Sequence, residues 1–461
     1  MISTYQRIEL LDVARGFGIL GILGLNIFLF ALPFEAMVIP GIWGEATLVN
    51  LTVWEISVTG FSGVMRGIVS IAFGASAYLL LTRAEAEGSF AGLDRYFVRL
   101  LVLILFGVLH SYILLWPHDI LYVYGVIGLL IFPFRKLAPK ALFMICAVML
   151  TASSIFTAEN VQDIEQARET IQESIEPDER RELQQDDPFV EEFEEGFLRL
   201  DQGQDGSVHH ASDLVLASDS PTVNDAAEET TSLDAIVAAI AKEIEERRQG
   251  YAANFWTMAP QSFQEQSEEM ISNHLLDVGT FFLLGMALFK YGFLTGQCSH
   301  RSYRMVAIVG MSVGVSVGIL SRIDVAEPSF LKSVSDLATE YGYDIRRLSL
   351  ALSYLAILAL LLRYGRLRLL TNALAHCGRV ALTLYILQTI ICNFIFLGAG
   401  LGLFGSLEHW QIGLLFLVLT ALQIGLASWL ANTNRQGPLE RLLRWIVSKS
   451  IDHEARAASV A

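Results

Sequence analysis

Long apolar runs separated by short polar or basic stretches dominate the chain outside one interior segment. Each run approaches the roughly 20 residues that a helix needs to cross a bilayer core. Ten such runs are read, at about 15–32, 58–81, 97–115, 119–134, 141–157, 275–294, 304–320, 347–363, 379–399 and 411–431. Several are near the short limit. The pattern predicts an all-α, polytopic membrane helical bundle of about ten transmembrane helices, in halves 1–157 and 275–434.

The interior segment 158–274 breaks that pattern. Val161, Ile164, Ala167, Ile171 and Ile175 recur every three or four residues, as do Ile236, Ala239, Ile240 and Ile244. These stripes predict two amphipathic helices, at about 160–200 and 232–258, packed on each other or on the outer membrane face. Between them lies a Gly, Ser and Asp-rich breaker, at about 202–231. His209 and His210 within it, near Asp205 and Asp213, lack a spaced third ligand, and no metal site is predicted. After 435, Leu439, Leu442, Leu443, Trp445 and Ile446 alternate with Arg435, Arg441, Arg444 and Lys449. This tail, 435–461, predicts a basic amphipathic helix on the inner headgroup surface, in contact with membrane lipids.

Composition supports the membrane reading: 53% of the 461 residues are hydrophobic and the mean hydropathy is +0.48. The net charge of −16 divides unevenly. Residues 158–274 hold 7 Lys and Arg against 29 Asp and Glu, a balance of −22, which leaves 25 against 19, or +6, for the rest. An acidic insert on a mildly basic body offers no face for phosphodiester backbones, so nucleic acid is excluded as a partner.

Short loops on one side carry Arg83, Arg95 and Arg99, then Arg135, Lys136 and Lys140, then Lys290, Arg301 and Arg304, then Arg363, Arg366, Arg368 and Arg379. Loops 33–56, 116–118 and 400–410 on the other side have no Lys or Arg. The positive-inside rule makes the basic side cytoplasmic, with both termini inside and the acidic insert outside. Loop 321–346, with Arg322, Lys332 and Arg346, is the one outer segment that departs from this. The first run reads as a retained helix, and Cys146, Cys298, Cys377 and Cys392 suggest no disulfide framework.

Ionisable residues at membrane depth are functional candidates by default. His110, His118 and Asp119 flank the corner where the third run ends and the fourth begins. A neutral imidazole can take a hydroxyl proton or carry an acyl group, best when a carboxylate orients its other nitrogen. His110 and Asp119 fit those roles, and a histidine bonded within helix packing fits the same residues. His118, in the turn, reads as interfacial. Arg66, on the outer part of the second run, either snorkels or needs an acidic partner, with Asp119 and Asp277 at comparable depth. Asn26, Tyr122, Gln388 and Tyr385 could bind an acceptor if they face the same cavity; Asn26, Gln388 and Asn393 also suit interhelical hydrogen bonding. Asp12 and Arg15, one turn apart, form either a helix-start clamp or, with Arg95, Arg99 and Arg379, a basic mouth for phosphate groups. A phosphate-binding P-loop and an HExxH pair are both missing from the sequence.

The stretch Leu11-Asp12-Val13-Ala14-Arg15-Gly16-Phe17 through Asn26 resembles the LDxxRGFALLGILxxN opening of the YeiB-like family of bacterial inner-membrane proteins. Phe73-Gly74, Gly107-Val108-Leu109-His110, Asp119 through Tyr124, Leu284 through Leu288, Gly378 through Thr389, Gly400 through Gly405 and Gly437-Pro438-Leu439-Glu440 are similar to that family in the same order. The last group resembles its C-terminal domain of unknown function. More distantly, the LDxxRG start followed by about ten spans is similar to membrane acyltransferases of the heparan-glucosaminide N-acetyltransferase type. That resemblance implies a cytoplasmic thioester donor such as acyl-CoA and a small-molecule or glycan acceptor across the bilayer. The HAxWxG-type histidine motif of that group is absent here. The expectation is acyl transfer with His110, Asp119 and Arg66 catalytic. The alternatives are a transporter or lipid-handling protein, and a non-catalytic scaffold.

Overall fold

A computed structural model describes residues 8–34, 47–86, 90–155, 232–322, 330–365 and 367–460. All regular structure among them is helical. The predicted helix at 160–200, the breaker at 202–231 and His209-His210 lie outside the described residues.

Helices stand at all ten predicted runs: α1 (Glu9–Ala31), α2 (Leu48–Gly60) leading into α3 (Val64–Ala86), α4 (Phe90–Tyr112), α5 (Ile120–Ile131) and α6 (Pro139–Ile155) precede the insert. In the insert lie α7 (Ser232–Arg248) and α8 (Tyr251–Gln266), followed by a π turn, Met270–His274. After it come α9 (Leu275–Tyr291), α10 (His300–Leu320), α11 (Phe330–Tyr364), α12 (Arg368–Arg379), α13 (Ala381–Phe396), α14 (His409–Asn432) and α15 (Pro438–Val460). The protein is therefore an all-α helical membrane protein.

The count of about ten complete crossings is not reached among the described residues. Five segments are long and apolar enough alone: α1, α2 with α3, α10, the Tyr341–Tyr364 part of α11, and α14. A sixth is added if α12 and α13, bent by 81° at their junction, form one span. The physical reason is length: α5 has 12 residues, about 18 Å of helix against a hydrocarbon core of about 30 Å. The predicted 232–258 helix also divides in two, because Gly250 takes an extended conformation and N-caps α8.

One large core cluster joins α1, α3, α4, α5, α9, α11 and α12. Two close crossings organise it. A Cβ on Gly16 of α1 would strike the Leu374 carbonyl of α12, and one on Gly378 would strike the Asp12 carbonyl. Gly74 of α3 meets the Phe282 backbone of α9, while Gly285 meets the Ile71 backbone in return. Without a hydrophobic drive between helices in lipid, such backbone approach supplies the packing. All four glycines belong to the segments that carry the family resemblance.

The insert is docked on the bundle. At the end of α7, Arg247 O accepts from Gly398 N (3.0 Å), and Arg248 Nε donates to Phe404 O (2.8 Å). Tyr251 of α8 donates its hydroxyl to Ile113 O (2.8 Å), beyond the C-terminal end of α4. Tail helix α15 packs beside α4, with Glu440 accepting from Thr383 N (3.1 Å) at the start of α13.

Candidate functional site

The corner between α4 and α5 turns at Leu115, whose φ of +54 lies in the left-handed region. Buried Leu115 packs against Met258 of α8 and Leu397 beyond α13. Asp119 then N-caps α5, accepting from Tyr122 N at 2.7 Å through Oδ2. Its Oδ1 lies 2.6 Å from His110 Nδ1, and the other ring nitrogen of His110 lies 2.8 Å from Thr389 Oγ1. With Asp119 ionised, Nδ1 donates to it and Nε2 accepts from Thr389. The His110 and Asp119 side chains are 0% and 1% exposed. The expected pair forms, with both nitrogens of His110 engaged.

Beside this pair opens a cavity of about 390 Å³. Asp119 lines it, and His110 does not. The His110 ring lies behind its own hydrogen-bond partners, Asp119 and Thr389, and is not among the groups that line this cavity. His118 does line the cavity, together with Arg66, Glu265, His274, Asp277 and Arg347. The His118 ring stands edge-on to Trp116, centroids 5.4 Å apart, and Trp116 stacks on Phe30 at 3.9 Å.

Glu265 binds both of the cavity's histidines. His118 Nδ1 lies 3.0 Å from its Oε1 and His274 Nε2 2.9 Å from its Oε2. Burial works to raise the Glu265 carboxyl, but the hydrogen bonds it accepts from His118 and His274 outweigh it, holding the group well below the ordinary carboxylate range. The cluster ties together the corner, α8 and the π turn. Such turns frequently mark functional sites.

Across the cavity Arg66 pairs with Asp277, the second of its two expected partners. Asp277 also holds Arg347, which pairs in turn with Asp344 at 2.7 Å. Arg347 is almost completely buried, its guanidinium over the Phe281 ring at 4.8 Å and the Tyr343 ring at 5.0 Å. Two cations and two carboxylates thus balance one another along this wall of the cavity.

The other predicted residues lie elsewhere. Gln388 is buried and donates to Ile19 O (3.1 Å) and Gln423 Oε1 (2.9 Å), an interhelical role. Asn26 and Tyr122 are half-buried and do not line the cavity. Tyr385 stands edge-on to His110 at 5.0 Å and accepts from Ile120 N at 3.3 Å. At the far end of α4, Arg15 pairs with Asp12 at 2.8 Å and Arg379 approaches the same carboxylate at 3.9 Å. Arg99 is in electrostatic range of Arg15, Arg444 and Glu440, and Arg95 is exposed. Eleven residues of α4 separate Arg99 from His110, an axial rise of about 16 Å.

Sequence reasoning did not single out Glu265, His274, Tyr343, Arg347 or Thr389. Arg347 alone carried a usable signal, a cation at the edge of an apolar run. Among the described residues no group of three His, Cys, Asp or Glu could hold a metal ion.

A family model described as a protein of unknown function, DUF418, matches residues 288–450. The uncharacterized protein YeiB of Escherichia coli (strain K12) is 26% identical over 470 residues, covering 96% of this chain and 97% of that protein. Over its C-terminal part this chain is thus similar to the DUF418 family, and along nearly its whole length to YeiB. The uncharacterized protein YxaH of Bacillus subtilis (strain 168) is 24% identical over 450 residues, covering 96% and 94%. An uncharacterized 39.9 kDa protein in the amylase 3' region of Bacillus acidopullulyticus is 31% identical over 157 residues, 34% of this chain and 42% of that one. No solved structure matches. The DUF418 match begins in α9 and ends in α15, so it takes in Gly378 and Thr389 but neither histidine of the corner.

Proposed function

We propose that this protein transfers an acyl group to a hydroxyl-bearing acceptor, a small molecule or glycan, seated in the cavity beside His118. One observation carries the reading: His118, 47% exposed in the cavity, has Nδ1 fixed on Glu265 and no described residue bonded to Nε2. A carboxylate that orients one imidazole nitrogen leaves the other poised as a base. Nε2 takes the acceptor's hydroxyl proton as the oxygen bonds to the acyl carbon. The bond from that carbon to the donor sulfur breaks, and the proton leaves with the thiol. Arg66, across the cavity, faces the negative charge that builds on the acyl oxygen. His110, Asp119 and Thr389 hold the corner that presents His118 and act as positioning residues.

The donor, a cytoplasmic thioester such as acyl-CoA, follows from the resemblance to membrane acyltransferases. Arg15, Arg95, Arg99 and Arg379 would meet its phosphates. The chain sits in the bacterial inner membrane with both termini cytoplasmic. Its halves, 1–157 and 275–434, flank the extracytoplasmic insert 158–274, and the tail 435–461 rests on the inner surface.

Mass spectrometry of envelope glycans and lipids from cells with and without the protein tests this. An acylated species present with the native chain disappears in the deletion and in His118→Ala. Identical acylation in all three strains overturns the proposal. A second reading, passage of a solute or lipid without covalent chemistry, draws on the 81° bend between α12 and α13, since broken helices line transporter sites. It predicts unchanged acylation and altered distribution of a solute or lipid between the two sides.

A further inference from the structure

The outward face of α8 carries a stripe at helical spacing that no other described residue covers. Ala252, Trp256, Pro260 and Phe263 are exposed, Trp256 by 75% and Phe263 by 65%, while Asn254, Met258 and Ser262 face the protein. Two aromatics seven residues apart fall on one side of a helix. The single ionisable side chain toward the end of that helix, Glu265, is turned to His118 and His274 and is not on this stripe. Bare water is a costly neighbour for such a surface.

Its position on the bundle says what covers it. Tyr251, at the start of α8, is bonded to Ile113 O. Ile113 itself is 55% exposed and continues the exposed row Leu101, Leu105 and Leu109 along α4. In a membrane protein that row faces acyl chains, and α8 prolongs it beyond the helix end. Phe394 and Leu401, exposed by 61% and 59%, continue the apolar surface near the other side of the docking point. Tryptophan and tyrosine favour the headgroup level, where an apolar ring and a polar edge are both satisfied.

We infer that α8 is an interfacial helix whose Trp256 and Phe263 insert into the bilayer leaflet on the cavity side. The partner is a lipid surface. The stripe carries no Lys or Arg, so insertion needs no anionic headgroup. Glu265 and Glu269, which line the cavity from the end of this helix, are thereby held at headgroup depth. The inference is independent of any acyl transfer.

Intrinsic fluorescence of the full-length protein in phosphatidylcholine nanodiscs tests it, comparing native chain with Trp256→Phe. The difference spectrum isolates Trp256 from the six other tryptophans. In lipid brominated high on the acyl chain this spectrum loses most of its intensity, while aqueous acrylamide leaves it nearly unchanged. A spectrum quenched by acrylamide and not by brominated lipid overturns the inference, since the ring then stands in water. Protection from both agents overturns it too, because protein then covers the stripe. Trp256 is exposed and its replacement conservative, so the variant keeps the fold; circular dichroism of the helices verifies that.

Discussion

At the scale of single residues, two histidines eight positions apart have opposite surroundings. His110 is sealed between Asp119 and Thr389, whereas His118 is half-exposed on the cavity. Removing the buried imidazole leaves Asp119 Oδ1 and the Thr389 hydroxyl without their shared partner, a loss that typically costs about 1–3 kcal/mol. His110→Ala is therefore expected to lower the melting temperature of detergent-purified protein sharply. His118→Ala removes an exposed pair worth at most about 1 kcal/mol, yet as the base its loss should slow transfer by about 10²–10⁴-fold. Melting curves beside product assays separate the two; equal destabilisation by both variants would contradict these contrasting roles. Glu265 adds a pH dependence. Its folded-state carboxyl is held below the ordinary range, so its stabilisation is present above that range, near pH 4.3, and is lost as pH falls beneath it. Glu265→Gln should shallow the loss of melting temperature as pH falls from about 5 toward 2. The His110 and Asp119 pairing was legible because a tight corner brings near neighbours together. Glu265 was not, since 147 residues separate it from His118 and the segment holds 29 acidic residues of which pattern distinguishes none.

At the scale of elements, periodicity located helices well and their breaks poorly. The bend at Val380 is an example: α12 was read as loop because Arg368 and Arg379 bracket it, but its interior residues Thr371, Leu374, Ala375 and Cys377 are buried against α1 and its neighbours. Two-sided burial is a property of the assembled bundle. The glycines of the family segments make sense only at this scale. Gly74 and Gly285 each place a backbone against the opposite helix; a larger side chain at either must separate α3 from α9. Gly285→Val is expected to destabilise by at least the 1–3 kcal/mol typical of overpacking, and to disturb the cavity, because Asp277 lies two turns away on α9 and Arg66 two turns from Gly74 on α3. Gly250→Ala, in extended backbone with open space beside it, should be nearly neutral. Thermal melts of the two variants in one detergent test the contrast.

For the whole molecule, the number of crossings before the insert decides which side it occupies. Counting only long apolar segments gives two, α1 and the α2 and α3 pair, which would return the insert to the side of the N-terminus. Counting α4, α5 and α6 as well gives five and puts it opposite. The contacts favour the second. Arg15 of α1 is in electrostatic range of Arg99, in the first half of α4, whereas insert helix α8 is bonded to Ile113 beyond the end of α4. On the topology proposed above, α1 and insert helix α8 meet α4 toward opposite ends, as an odd number of crossings requires. On the ten-crossing topology proposed above, the short helices would cross by packing against neighbours in a bilayer that thins or is bridged by their polar ends. A protease site placed at Asp205 should be cut from outside in intact spheroplasts, while a green fluorescent protein fused after Ala461 should fluoresce and resist the same protease. Cleavage only after the membrane is opened would put the insert on the cytoplasmic side, and with it the cavity; the acceptor of any transfer would then have to be cytoplasmic as well.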